Sequence, residues 1–245
     1  MIKTVFPLVT LGALALAGCD TATKAPESSQ AGSGGGATAP AGTKWSETFS
    51  ATADGGMLKG NPNAAVKLVE YGALTCSHCA EFAEASRDGL AAMIDKGSVS
   101  YEFRPFLLNV LDVPAALAAR CAGPGPFFPI SDQLFAAQRE WLGKAQTITE
   151  AEQAAWGNMP PEQLAPLLAA KLGIDQFVQA RGVGADQLKA CLTDKTAIEK
   201  LGAISQRAQT EFKVTGTPTF VINGQTVPNT ADWKTLEPKL KDAGA

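Results

Sequence analysis

The fold is decided by one stretch, Val66-Lys67-Leu68-Val69-Glu70-Tyr71-Gly72-Ala73-Leu74-Thr75-Cys76-Ser77-His78-Cys79. Its first part, residues 66–71, is rich in β-branched and aromatic side chains and predicts a strand. Between Cys76 and Lys96 apolar residues recur on one face of a helix, which Gly97 ends. The sequence therefore predicts that a Cys-x-x-Cys pair lies where a strand gives way to a helix.

The position of Cys76 at the start of a helix favours its thiolate. Unpaired backbone N–H groups and the positive end of the helix dipole lie there, and His78 adds a potential cation between the two sulfurs. Both effects lower the pKa of a thiol from about 8.5 toward roughly 3.5–7.5. A stabilised thiolate is also a good leaving group, so a disulfide between Cys76 and Cys79 is predicted to oxidise other thiols.

A Cys-x-x-Cys pair is also half of a zinc site, which needs two further soft or imidazole ligands. The chain has five cysteines and a single histidine, and that histidine lies inside the motif. Cys121 and Cys191 are isolated cysteines rather than a second close pair. A copper-delivery protein on a similar fold would need a histidine ligand distant from the motif, and the chain has none to offer. We therefore expect redox chemistry of the two sulfurs, with no metal and no cofactor.

The rest of the chain predicts the order β, α, β, helical block, β, β, α. A second strand is predicted from Val99 to Phe103, and between Asp112 and Glu211 the pattern indicates only helices. A hairpin with an Asn223-Gly224 turn and a closing helix at 230–241 follow. The block is predicted to contain helices at 114–122, 131–142, 149–156, 161–171, 174–180, 185–192 and 195–212.

This order, the Cys76-Ser77-His78-Cys79 motif and the segment Gly216-Thr217-Pro218-Thr219-Phe220 together resemble the DsbA-like thiol:disulfide oxidoreductases of the thioredoxin superfamily. The resemblance implies an α/β protein, a thioredoxin fold with a helical domain inserted between its βαβ half and its ββα half. The N-terminal half would occupy residues 61–112, the inserted helical domain 113–205 and the C-terminal half 206–245.

The resemblance also implies roles for individual residues. Pro218 would be a cis proline beside the active site, where Thr217 offers backbone groups to an extended substrate peptide; the alternative is a trans proline that starts a strand. Glu70 matches the buried acid that accepts or relays the proton of Cys79, and the alternative is a surface carboxylate. Ser77 stands where the enterobacterial oxidase has proline, and Thr217 stands where it has valine. Isomerase branches of the superfamily also have threonine at the position of Thr217.

The two cysteines of the helical block, Cys121 and Cys191, are expected to form a structural disulfide. Thiols of exported proteins tend to oxidise, and some DsbA-like proteins carry a second bridge. In the chain-entropy model such a bridge stabilises the fold by roughly 4 kcal/mol. The alternative is a pair of buried free thiols that pack as small hydrophobes.

Residues 1–18 predict a secretion signal. Lys3 precedes an apolar run, Val5 to Ala17, that is too short to span a bilayer comfortably. The run ends in Leu16-Ala17-Gly18-Cys19, which resembles a bacterial lipobox, so Cys19 is expected to carry lipid; the alternative is a plain signal peptide and a stray thiol. Residues 19–60 are predicted to be a flexible tether, since Ala, Gly, Ser, Thr and Pro dominate its first part.

Of the residues, 45% are hydrophobic and 18% charged, with a net charge of −3, so the chain lacks the basic clusters of a nucleic-acid binder. We expect a monomeric periplasmic oxidase, lipid-anchored to a bacterial membrane, the inner one because Asp20 follows Cys19. It would donate its disulfide to exported proteins with cysteine thiols and be re-oxidised by a DsbB-like membrane partner. The alternatives are a reductase or isomerase kept reduced by a membrane donor, and a non-catalytic peptide-binding module.

Overall fold

The computed structural model describes residues 38–245. The predicted secretion signal, Cys19 and the tether up to residue 37 lie outside the described residues. The strands are β1 Phe49–Ala51, β2 Met57–Gly60, β3 Val66–Gly72, β4 Val99–Pro105, β5 Thr219–Ile222 and β6 Gln225–Thr226. They form one mixed sheet in the order β1-β2-β4-β3-β5-β6, in which β3 and β4 are parallel and the other pairs antiparallel.

The helices follow the predicted order. They are α1 Ser77–Asp95, α2 Asp112–Arg120, α3 Pro124–Ala136, α4 Gln138–Gly143, α5 Glu150–Trp156, α6 Pro161–Leu172, α7 Ile174–Gln179, α8 Ala185–Leu192, α9 Lys195–Glu211 and α10 Trp233–Asp242. Short 3₁₀ turns lie at Trp45–Glu47 and Lys144–Thr147. Helices α2 to α9 stand between the β3-α1-β4 half and the β5-β6-α10 half, so the predicted fold class is confirmed. Within residues 38–245 no helix combines the length and apolarity that crossing a bilayer requires.

Strand β3 carries the chain to the motif through the centre of the sheet. It is flanked by β4 and β5, and Val66, Leu68 and Glu70 on one face are buried, whereas on the other face Lys67 is exposed and Val69 half-buried. Alternate side chains of a strand point to opposite faces, so Glu70 shares a face with the buried Val66 and Leu68. Tyr71 points to the other face, where it packs with residues of α9.

The tether predicted over 19–60 is shorter than expected, because residues 45–60 are structured. Met57 of β2 pairs with Phe103 of β4, and β1 pairs with β2 through a turn at Gly55, whose φ is +86°. The side chain of Trp45 is buried against the core. These strands are too short to show a clear alternation, and their partner β4 lies far away in the sequence. The local pattern therefore did not reveal them.

The predicted helix 131–142 is two helices, α3 and α4, and the first begins earlier than expected. The segment Gly123-Pro124-Gly125-Pro126 predicts a break, yet α3 starts at Pro124. Proline suits the first turn of a helix, because the N–H that it lacks would have no helical partner there. The early start turns Phe127 and Phe128 into the core, where they are 1% and 4% exposed.

Cys121, at the end of α2, and Cys191, in α8, form a disulfide with a Cα–Cα distance of 5.8 Å. Their sulfurs are thus joined rather than buried as separate thiols. The bridge fastens two helices of the inserted block to each other and lies on different elements from the Cys-x-x-Cys motif.

Candidate active site

The Cys-x-x-Cys motif lies at the strand-to-helix junction that the sequence predicts. Cys76 caps the N-terminus of α1, and its Sγ accepts a hydrogen bond from the backbone N–H of Cys79 at 3.3 Å. Both cysteines are free thiols; Cys76 is 7% exposed and Cys79 is 0% exposed. An incoming sulfur can therefore approach Cys76, whereas Cys79 is reached only from inside the protein.

The loop before β5 closes over Cys76 from the other end of the chain. The Thr217–Pro218 peptide bond is cis, and the Cys76 thiol donates to the carbonyl oxygen of Thr217 at 3.3 Å. The Thr217 hydroxyl is buried and has no hydrogen-bond partner at ordinary distance among the described residues. The fold thus brings the predicted substrate-binding pair Thr217 and Pro218 directly beside the predicted nucleophile.

The pKa of Cys76 is lowered to about 5. The largest cause is a hydrogen bond from the Cys79 side chain, and burial opposes this lowering of the pKa. Hydrogen bonds from the Thr217 side chain and from the backbone N–H groups of Cys79 and His78 lower the pKa further. The His78 side chain is exposed to solvent, and His78 contributes here through its backbone. Cys76 is accordingly a thiolate at neutral pH.

The second sulfur has the opposite character. Burial raises the pKa of Cys79 well above its usual value, and the hydrogen bond to Cys76 and the charge of Glu70 raise it further. Cys79 is therefore a thiol at neutral pH and donates its proton toward the Cys76 thiolate. Whenever its sulfur is released from a disulfide, it must take up a proton.

Glu70 is a buried acid, not a surface carboxylate, at 1% exposure. Its Oε2 accepts a hydrogen bond of 2.6 Å from the hydroxyl of Tyr101. The pKa of Glu70 is raised to about 8, chiefly by burial and further by the charge of Cys76. The hydrogen bonds from Tyr101 and from Cys79 oppose this shift. An acid that holds its proton near neutrality and interacts with the Cys79 thiol is suited to exchange a proton with that sulfur.

Asp112 is a site residue that the sequence analysis missed. It is 2% exposed, and its carboxylate accepts hydrogen bonds from the backbone N–H and the hydroxyl of Thr75, both at 3.0 Å, and from the N–H of Leu108 at 3.0 Å. It thereby ties the first turn of α2 to the residue before Cys76. The sequence signal is one acidic residue at the start of a helix, which is too common to single out.

Gln138 holds the same turn from another helix of the inserted block. Its side-chain nitrogen, buried in the protein, donates to the carbonyl oxygens of Leu74 and Cys76 at 2.8 and 2.9 Å. The backbone around the motif is therefore fixed by both α2 and α4. Within residues 38–245 no group of three His, Cys, Asp or Glu side chains is placed to bind a metal.

Comparison with known proteins agrees with this geometry. The family model described as Thioredoxin matches residues 52–242. A Rickettsia typhi protein, provisionally named a protein-disulfide oxidoreductase, is 28% identical over 175 residues, which are 71% of this chain and 56% of the relative. The chain thus spans little more than half the length of that relative.

Two solved structures share the fold. The protein-disulfide isomerase of Novosphingobium aromaticivorans is 31% identical with a TM-score of 0.71, covering 77% of this chain and 97% of that one. Wolbachia pipientis alpha-DsbA1 is 20% identical with a TM-score of 0.60, covering 76% and 89%. Such coverage includes the inserted helical block as well as the sheet. The chain therefore belongs to the thioredoxin family and has the fold of its DsbA-like members.

Proposed function

We propose that the protein is a thiol:disulfide oxidoreductase that passes the Cys76–Cys79 disulfide to cysteine thiols of exported proteins. The observation that carries the proposal is the asymmetry of the two sulfurs. The pKa of Cys76 is about 5, whereas burial raises that of Cys79 well above its usual value. One sulfur is thus stable as a thiolate and partly reaches the surface, at 7% exposure, and the other is a fully buried thiol.

The reaction follows from this asymmetry. A substrate thiolate attacks Cys76 Sγ, a substrate–Cys76 disulfide forms, and the electron pair of the broken bond goes to Cys79. Cys79 takes a proton from Glu70. A second substrate thiolate then attacks the substrate sulfur of the mixed disulfide and releases Cys76 as a thiolate. The substrate has lost two electrons and the motif has gained them.

Oxidation is the direction that the low pKa favours. A stabilised Cys76 thiolate stabilises the reduced protein, which makes the disulfide form the stronger oxidant. The substrate segment would lie extended along Thr217, because the Thr217 carbonyl oxygen lies 3.3 Å from Cys76 Sγ. Extended peptides bind by pairing with exposed backbone in this way.

The cellular setting rests on the sequence alone. The secretion signal at 1–18 and the lipobox ending at Cys19 support a periplasmic monomer, lipid-anchored to the inner membrane and re-oxidised by a membrane oxidase. The second candidate is an isomerase or reductase kept reduced by a membrane donor. It is favoured by the 31% identity to the Novosphingobium aromaticivorans protein, which is named a protein-disulfide isomerase.

Rapid alkylation of thiols in intact cells separates these functions. An oxidase is recovered with Cys76 and Cys79 mainly joined, and an isomerase or reductase with both sulfurs mainly alkylated. Purified protein with its disulfide intact should also oxidise a reduced, unfolded test protein, and Cys76→Ser should abolish this. Oxidation of the test protein by Cys76→Ser at the wild-type rate would contradict the proposal. A wild-type protein that bound the test protein without oxidising it would leave the peptide-binding module as the explanation.

A further inference from the structure

The buried half of the site needs a supply of protons. Cys79 is 0% exposed and Glu70 is 1% exposed, yet each cycle adds one proton to the Cys79 sulfur and later removes it. Glu70 supplies that proton, and since its pKa in the reduced protein is about 8, it takes up another one at neutral pH. A path from solvent to Glu70 is therefore required.

We propose that Tyr101 relays protons between Glu70 and a polar cavity lined by Lys59 and Asp132, so that the Cys79 sulfur exchanges its proton with water without passing through the substrate-binding mouth. The proposal rests on the disulfide exchange at Cys76 and Cys79 put forward above. It adds a route and the residues that form it.

The first step of the route is the contact between Tyr101 and Glu70. The Tyr101 hydroxyl lies 2.6 Å from Glu70 Oε2. The parallel register pairs Tyr101 with Leu68, which lies two residues before Glu70 on the same face of β3. A phenol hydroxyl both donates and accepts hydrogen bonds, so it can give its proton to the carboxylate while it takes another. Burial raises the pKa of Tyr101, which keeps the hydroxyl protonated between transfers.

The second step is a cavity of about 120 Å³ that Tyr101 lines from one side. Its other polar lining comes from Lys59 of β2, Ser86 and Arg87 of α1, and Asp132 of α3. A water needs only roughly 10–15 Å³ of such space together with two to four polar partners. The cavity is therefore large enough, and has enough polar groups, to hold water beside Tyr101.

The charged groups at the cavity are half-buried and coupled to the acid behind them. The Lys59 ammonium lies 4.5 Å from the centre of the Phe128 ring. Burial lowers the pKa of Lys59, and the charge of Asp132 opposes this shift. Burial raises the pKa of Asp132, and the charges of Lys59 and Arg87 oppose that shift. The charge of Asp132 also raises the pKa of Glu70. Arg87 is exposed at the outer side.

Protons and electrons balance along this route. When Cys79 leaves the disulfide as a thiolate, Glu70 gives it a proton. Tyr101 then gives its hydroxyl proton to Glu70 Oε2 and takes one from the cavity, where Lys59, Asp132 and bulk water restore it. One proton has moved from solvent to Cys79 Sγ, and no electron has moved along the path. When the disulfide forms again, the same steps run in reverse.

The test compares the two tyrosines of the chain. Tyr101→Phe keeps the ring and removes the hydroxyl. The matched control is Tyr71→Phe, because the Tyr71 hydroxyl is also buried but accepts from Arg104 at 3.1 Å on the other face of the sheet. Reduction of the protein disulfide by a reduced peptide is followed from pH 5 to 9, in water and in deuterium oxide. Acid quench and alkylation report the disulfide, and a pH indicator in weakly buffered solution reports the proton uptake that follows.

We expect Tyr101→Phe to slow the proton uptake that follows loss of the Cys76–Cys79 disulfide at pH 7 by at least about tenfold and to shift its pH profile and solvent isotope effect. The thiolate absorbance of Cys76 at neutral pH should persist, and Tyr71→Phe should retain the wild-type profile. Equal profiles for both variants and the wild type would overturn the relay. If Cys76→Ser kept its activity, the proposed function itself would have failed.

A second pair of variants tests the relay even if Tyr101→Phe fails to fold. Lys59→Met alters the cavity without removing a charge that acts on Glu70, whereas Asp132→Asn also removes a charge that raises the pKa of Glu70. Each should slow the same proton uptake and move its pH profile. If Glu70→Gln slowed the step while these variants and Tyr101→Phe did not, protons would reach Glu70 by another path and the relay would be wrong.

Discussion

Cys76 Sγ and the carbonyl oxygen of Thr217 lie 3.3 Å apart although 141 residues separate them in the chain. The two residues belong to the opposite halves of the fold, and the inserted helical block lies between them in sequence. The Thr217 side chain, which lowers the pKa of Cys76, therefore reaches the sulfur only after both halves have come together. Removing the Thr217 side chain tests one part of the environment of that sulfur.

Thr217→Val should raise the pKa of Cys76 above about 5. The Thr217 side chain lowers that pKa by hydrogen bonding, and valine has the same shape without the hydroxyl, whereas the backbone carbonyl contact is kept. Absorbance of the thiolate at 240 nm, titrated with pH in the reduced protein, gives the value. Thr219→Val is a control, because the Thr219 hydroxyl donates to the carbonyl of Gly216. An unchanged pKa in Thr217→Val would remove the hydroxyl from the explanation.

The stability of the protein should depend on pH more strongly in the oxidised form than in the reduced form. The pKa of Glu70 rises from 4.5 to about 8 on folding, so the folded state binds more protons and loses stability as pH rises through that range. The pKa of Cys76 falls from 9.0 to about 5, so the reduced protein gains stability as pH rises from about 5 to 9.

Only the reduced protein has a Cys76 thiol to titrate. The oxidised protein should therefore lose up to about 4 kcal/mol between pH 5 and 8, whereas in the reduced protein the two effects offset each other. Urea unfolding of both forms across this range measures the free energies. Glu70→Gln should flatten the profile of the oxidised protein, and a wild-type slope in that variant would show that another group is responsible.

Asp112→Ala should destabilise the protein by about 2–4 kcal/mol, because the N–H and hydroxyl of Thr75 and the N–H of Leu108 would lose their partner in a buried place. Disulfide exchange should slow as well, since the turn before Cys76 would lose its support. Urea unfolding and single-turnover rates measure the two effects. Asp232→Ala, which removes the cap of α10, should cost about 1 kcal/mol and leave the exchange rate alone.

Replacing Cys121 and Cys191 together by alanine should lower the free energy of unfolding by roughly 4 kcal/mol without changing the pKa of Cys76. The bridge joins α2 to α8, and its loss enlarges the set of unfolded conformations. Urea unfolding of the variant and of the wild type, both with Cys76 and Cys79 reduced, gives the difference. Equal midpoints would show that the bridge contributes nothing to the fold.

The sequence predicts those parts of the site whose residues are neighbours in the chain. A β-branched run followed by Cys-x-x-Cys and an apolar helical face indicates the strand, the motif and α1 at once. The alternation of β3 then places Glu70 on the same face as Leu68. Pro218 was found because the segment around it resembles a known family, not because its neighbours predict a cis bond.

The residues that the sequence did not predict depend on pairing between distant segments. Tyr101 meets Glu70 only through the parallel register of β3 and β4. Asp112 and Gln138 reach the motif from separate helices of the inserted block. Strand β2 likewise depends on pairing with β4, and β1 on pairing with β2. None of these contacts leaves a local pattern, since each side chain is of a common type at an ordinary spacing.

Gln138 binds the backbone oxygens of Leu74 and Cys76, so the nucleophile is anchored to a domain that contains none of the reacting sulfurs. Any replacement that shifts α4 by a fraction of an ångström also shifts Cys76 relative to Thr217. Evolution can thus retune the reactivity of the sulfur through distant helices while all four residues of the motif stay the same. Two homologues with identical motifs are then expected to differ in oxidising strength.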